Sequence, residues 1–143
     1  MVNKSEHRGN TIMLGYVTLG TNDLPKAAEF YDKLCGALGV GRMMGDENFI
    51  AWGNPGGGAG IGLTKPFNGE PATVGNGVMA ALQVDSPERV DEIYKLALEL
   101  GATDEGPAGA RNEWFYAGYF RDPDGNKLNV FCMSSPDSKE SGT

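Results

Sequence analysis

The chain repeats itself once, and this restricts its architecture more than any other feature. Residues 16–31 (YVTLGTNDLPKAAEFY) set against residues 79–94 (MAALQVDSPERVDEIY), offset by 63, align Leu19 with Leu82, Glu29 with Glu92 and Tyr31 with Tyr94. The shared organisation matters more than these identities. Each copy has a short apolar run, a helix-start signal, an amphipathic stretch and then Leu-Gly. In the first copy Leu14 to Leu19 reads as a strand and Asp23 as an N-cap. Ala27, Phe30, Tyr31, Leu34 and Leu38 recur at helical spacing before Gly39 ends the helix. In the second, Val78 to Val84 is the strand, Ser86 the N-cap and Pro87 the first helical residue. There Val90, Ile93, Ala97 and Leu100 form the apolar face and Gly101 the stop.

Short strand-like runs follow each helix: Val40 to Met44, Phe49 to Trp52 and Ile61 to Thr64 in the first half, Trp114 to Arg121 and Lys127 to Met133 in the second. A further strand near Thr103 is poorly marked. Asp122 to Asn126 (DPDGN) reads as the hairpin turn before the last strand, and Pro55 to Gly60 as another turn. That glycine run lacks the Gly-Lys-Ser/Thr and helix start of a phosphate loop. The predicted fold is α+β, two β-α-β-β-β modules forming paired half-sheets around a cleft. Module one spans about 13–66, a linker 67–76 and module two about 77–133, with a flexible arm at 1–12 and a flexible tail at 134–143.

Inventory excludes several functions. A net charge of −7 opposes phosphate-backbone binding, so no nucleic-acid partner is expected. No run approaches the roughly 18 apolar residues of a spanning helix, and residues 1–11 have no apolar signal core, so a cytoplasmic protein without a membrane partner is expected. Cys35 and Cys132 read as buried reduced thiols, and the single histidine, His7, lies in the polar arm. Ser-His-Asp and Cys-His machinery therefore has no histidine in the folded region. A carboxylate base such as Glu47 or Glu113 is compatible with the sequence, but nothing places either in the cleft.

The elements L-G-Y-V-T-L-G, F-Y-D-x-L-C-G-A-L-G, G-N-G-V (Gly75 to Val78), Gly101 to Arg111 and R-D-P-D-G-N-K-L occur in that order between Leu14 and Met133. In this the chain resembles the vicinal oxygen chelate superfamily, which includes glyoxalase I, extradiol dioxygenases, fosfomycin-resistance enzymes and bleomycin-binding proteins. The resemblance implies the glyoxalase/bleomycin-resistance fold and a cleft between modules in which enzymatic members hold one divalent metal. The ligand positions, commonly His, Glu or Gln, His and Glu, fall here on Tyr16, Gly62, Met79 and Asn129. These are poor donors for zinc, iron, nickel or manganese, which bind imidazole, thiolate or carboxylate. The substitutions argue against glyoxalase I or dioxygenase activity, and no cofactor is expected.

The preferred expectation is a metal-free protein holding a small organic molecule in a cleft bordered by Tyr16, Trp52, Met79, Arg111, Tyr119 and Asn129. Alternation adds Thr18, Ala81, Gln83 and Phe131 to the lining. Arg111 reads as an anchor for a carboxylate or phosphate, or as a surface ion pair; Trp52 and Trp114 read as core or as ligand platforms. The acidic net charge favours a cationic ligand at long range. Free sheet edges, and the habit of small members of the superfamily, imply a homodimer. Two alternatives stay open: a glyoxalase- or dioxygenase-like metalloenzyme with an unorthodox ligand set, and an interaction domain with a filled cleft.

Overall fold

The computed structural model describes residues 13–134; the arm at 1–12 and the tail beyond Ser134 lie outside the described residues. Two four-stranded mixed sheets each carry one helix. Module one comprises β1 (Tyr16–Gly20), α1 (Leu24–Ala37), β2 (Arg42–Gly45), β3 (Phe49–Trp52) and β4 (Gly60–Thr64). Module two comprises β5 (Ala80–Gln83), α2 (Pro87–Glu99), β6 (Thr103–Ala110), β7 (Phe115–Arg121) and β8 (Lys127–Met133). The orders are β1-β4-β3-β2 and β5-β8-β7-β6, so β1 and β2 are the edges of one sheet and β5 and β6 those of the other.

The helices start and stop where their caps dictate. Asp23 accepts from the Lys26 N–H and Ser86 from the Arg89 N–H. Gly39 and Gly101, at φ of 79° and 108°, take the left-handed turn that ends each helix. The poorly marked third strand of module two is β6, the longest in the described chain at eight residues. Its composition, TDEGPAGA, hides it: register shifts around Gly106 interrupt the alternation that marks a strand.

Strand alternation sorts the side chains onto two faces. In module one Leu19, Ile50, Trp52, Ile61 and Leu63 are buried beside α1 residues in the core. In module two Phe120, Leu128, Val130 and Cys132 join Val90, Ile93 and Ala97 of α2 there. These sets form one continuous core, so the modules meet through the helix side. The β7–β8 turn reinforces the junction. Tyr31 on α1 donates to Asp122 at 2.7 Å, Thr21 to Asp124 at 2.6 Å, and the Asn126 side-chain amide to the Gly20 carbonyl at 2.9 Å. Arg89 at the start of α2 donates to the Ala37 carbonyl at the end of α1. The segment read as a hairpin turn thus also joins the two halves.

The opposite faces carry no helix. Tyr16 and Thr18 of β1 lie across from Gly60 and Gly62 of β4, with Phe49 and Ala51 beyond. In module two Ala81 and Gln83 lie beside Asn129 and Phe131, which in turn face Tyr119 and Ala117. Pairing with Arg121 and Phe115 places Lys127 and Met133 on this face too.

Candidate functional site

The first two ligand-like positions, Tyr16 and Gly62, lie on the open face of module one. Tyr16 is 44% exposed and packs on Phe49 with ring centroids 5.6 Å apart. A Cβ at Gly62 would stand 2.7 Å from Cε1 of Phe49, so glycine is required for that ring to lie across the strand. At this position an aromatic ring lies over bare backbone.

The other two positions, Met79 and Asn129, belong to module two. Met79, 41% exposed, stands one residue before β5. It lines a cavity of about 550 Å³ with the Val74–Val78 segment, Arg121 and Lys127. Asn129 is only 1% exposed, and its side-chain carbonyl oxygen has no hydrogen-bond partner. Its neighbour across the strand pair is Tyr119. The Arg111 guanidinium carbon lies 5.4 Å and the Lys127 ammonium 5.5 Å from the Tyr119 ring centroid, cation–π distances for both. Arg111 curls back over the bulged β6, donating to the carbonyls of Gly109 at 2.9 Å and Pro107 at 2.8 Å. It makes no ion pair among the described residues. Arg121 donates to the Gly125 carbonyl at 3.1 Å and pairs with Glu105 at 3.2 Å.

Met79, Arg111, Tyr119 and Asn129 therefore share the open side of module two, whereas Tyr16 sits on the other sheet. Trp52 is placed differently. It is 1% exposed on the α1 side, 5.5 Å from the Tyr31 ring, and donates from its indole N–H to Asp32 at 2.9 Å. Arg42 grips the same carboxylate with two hydrogen bonds of 2.9 Å and, with Trp52, holds Asp32 below the usual carboxylate range. Trp114 is half exposed, at the hairpin between β6 and β7. Lys127 and Arg121 were not singled out in the sequence. The available signal was alternation: Lys127 and Asn129 are two apart on one strand, and the five-residue turn sets Arg121 opposite Lys127.

The metal-binding capacity of the four mapped positions can be judged from their chemistry. They offer a phenol, bare backbone, a thioether and an amide, and the ring of Phe49 fills the space at Gly62. Among the described residues no cluster of three His, Cys, Asp or Glu side chains could replace them. These residues do not fit a divalent transition metal.

The sequence profile of the Glyoxalase/Bleomycin resistance protein/Dioxygenase superfamily matches residues 13–130, and the chain belongs to this superfamily. A glyoxalase/bleomycin resistance protein from Albidiferax ferrireducens T118 is similar, with 36% identity and a TM-score of 0.77 over 85% of this chain and 99% of that one. A glyoxalase/bleomycin resistance protein/dioxygenase family enzyme from Burkholderia phytofirmans PsJN shares the fold, with 21% identity and a TM-score of 0.69 over 84% of this chain and 98% of that one. No curated protein matches the chain at a significant level. No helix among the described residues is long and apolar enough to cross a membrane.

Proposed function

We propose that this chain is a metal-free small-molecule-binding member of its superfamily, acting as a homodimer and using the open side of module two as the main ligand surface. The observation that carries this reading is the Asn129 carboxamide, buried with an unpartnered oxygen beneath a face that exposes an aromatic ring and three cations. A buried acceptor without a partner costs about 1–3 kcal/mol. A ligand that donates to it recovers that cost. The neighbouring cavity of about 550 Å³ falls within the range of small-molecule sites.

The dimer rests on the free edges β1 and β5, flanked by the exposed apolar side chains of Tyr16, Val17, Val78 and Met79. A second copy covering them would bring the open face of one module against that of another and enclose the ligand. The filled-cleft alternative has support in module one alone, where Phe49 closes over Gly62.

Native mass spectrometry of the freshly purified protein, with elemental analysis of the same sample, tests this reading. The expected result is a dimer free of stoichiometric zinc, iron, nickel or manganese that carries or takes up a small organic molecule. Stoichiometric metal, or failure of a broad ligand library to perturb the protein, would refute it.

A further inference from the structure

The open face of module two carries cations although the chain as a whole is acidic. Arg111, Arg121 and Lys127 all border this face, and among the described residues Glu105 on Arg121 is the one acidic side chain bonded to any of them. The guanidinium of Arg111 has two of its donors on backbone carbonyls, which fixes its plane and leaves further N–H groups free. Phe115 and Phe131 pack on each other at a tilt on the same face, 5.5 Å between centroids, and with the Tyr119 ring on that face give it an aromatic floor. Beside that floor lies the unpartnered oxygen of Asn129, an acceptor in want of a donor.

On the reading that this face binds a small molecule, we infer that its ligand is a planar carboxylate that also carries a hydroxyl or N–H. The carboxylate lies among Arg111, Arg121 and Lys127, the ring or conjugated plane lies on the aromatic floor, and the donor reaches Asn129. The net charge of −7 attracts cations only at long range, and ionic strength screens it over about 8–10 Å; the cationic cluster acts at contact.

The test uses the full-length protein and two probes, 3- and 4-hydroxybenzoate, with methoxybenzoates, methyl hydroxybenzoates and hydroxybenzylamines as matched controls. Affinities come from calorimetry, and the site is located by amide chemical-shift changes around Tyr119 and Asn129. At least one hydroxybenzoate is expected to bind tenfold or more tightly than its methoxy, ester and amine counterparts. Arg111→Gln with Lys127→Gln, both changes outside the core, should weaken it at least tenfold. Asn129→Leu should abolish the preference for hydroxy over methoxy while leaving the carboxylate preference in place. If the esters or amines bind this face as well as the acids do, the charge inference falls and the small-molecule reading stands. If methoxy and hydroxy acids bind alike in the wild type, the donor to Asn129 falls. If no probe and no library compound shifts these amides, the small-molecule reading itself falls.

Discussion

The phenol of Tyr31 on α1 and the carboxylate of Asp122 in the β7–β8 turn, ninety-one residues apart in the chain, meet in a buried hydrogen bond of 2.7 Å. Asp122 also accepts from the backbone N–H groups of Asp124 and Asn126 at 2.9 Å and from the Asn126 side chain at 3.0 Å. A buried carboxylate so supplied is tolerated in the interior. The pair also fixes how module two sits against module one.

Replacing the phenol removes a donor from a buried charge. Tyr31→Phe is expected to lower the unfolding free energy by about 1.5–3 kcal/mol, the range for a hydrogen bond to a charged group. Denaturant titration at neutral pH checks this; an unchanged midpoint would show that the contact does not secure the junction.

The same residue sets an alkaline limit. Burial first, and then the Asp122 carboxylate, push the Tyr31 phenol well above its ordinary value. The folded state therefore keeps this proton where the unfolded chain, with a phenol pKa of about 10, releases it. Stability from this source is complete below about pH 10 and is lost as pH rises toward the folded value. The Cys35 thiol, pushed up to about 12 chiefly by burial, acts in the same direction from about pH 8.5 upward. Unfolding midpoints measured from pH 8 to 11 should fall for the wild type and fall less steeply for Tyr31→Phe.

Gly62 is held to glycine by the ring of Phe49. Gly62→Ala would put a methyl group 2.7 Å from Cε1 and is expected to cost about 1–3 kcal/mol, as overpacking does. In the Phe49→Leu background the added cost should shrink. Equal costs in both backgrounds would mean that the ring is not what excludes the side chain.

Trp52→Phe separates core from ligand surface. Losing the indole N–H to Asp32 and part of the ring's packing should lower stability by about 1–2 kcal/mol. Ligand affinity should be unchanged, because Trp52 lies on the helix side of its sheet. A large loss of affinity in a folded variant would return Trp52 to the cleft.

Tyr16→His, Met79→His and Asn129→Glu together supply two imidazoles and a carboxylate, a set suited to transition metals. Tyr16 lies on one sheet and the other two positions belong to the other, with β1 and β5 both free edges. Metal affinity in this triple variant is therefore expected to require the dimer, and to fall when the protein is diluted to monomer. Calorimetry with zinc at two protein concentrations reads this; metal binding of equal strength in the monomer would show that one chain brings the three positions together.

The repeat, the caps at Asp23 and Ser86, the stops at Gly39 and Gly101, and the sorting of residues onto the faces of β1, β5 and β8 were legible in the chain itself, whereas Trp52, expected at the cleft, lies in the core. Each legible feature depends on a period or an end-group that operates within one or two turns of backbone. Strand β6 was only faintly marked, near Thr103, because its register shifts around Gly106 interrupt that local period. Three features were decided only by tertiary structure. The D-P-D-G-N turn reads locally as a hairpin, yet its carboxylate reaches a phenol in the other half. The chain sums to −7, yet folding gathers Arg111 and Lys127 over Tyr119, with Arg121 opposite Lys127 on the neighbouring strand. Asn129 reads as a lost metal ligand, but only its burial leaves an oxygen without a donor. Pairing across ninety-one residues, local charge and the satisfaction of a buried group are all properties of neighbours in space, which sequence separation does not encode.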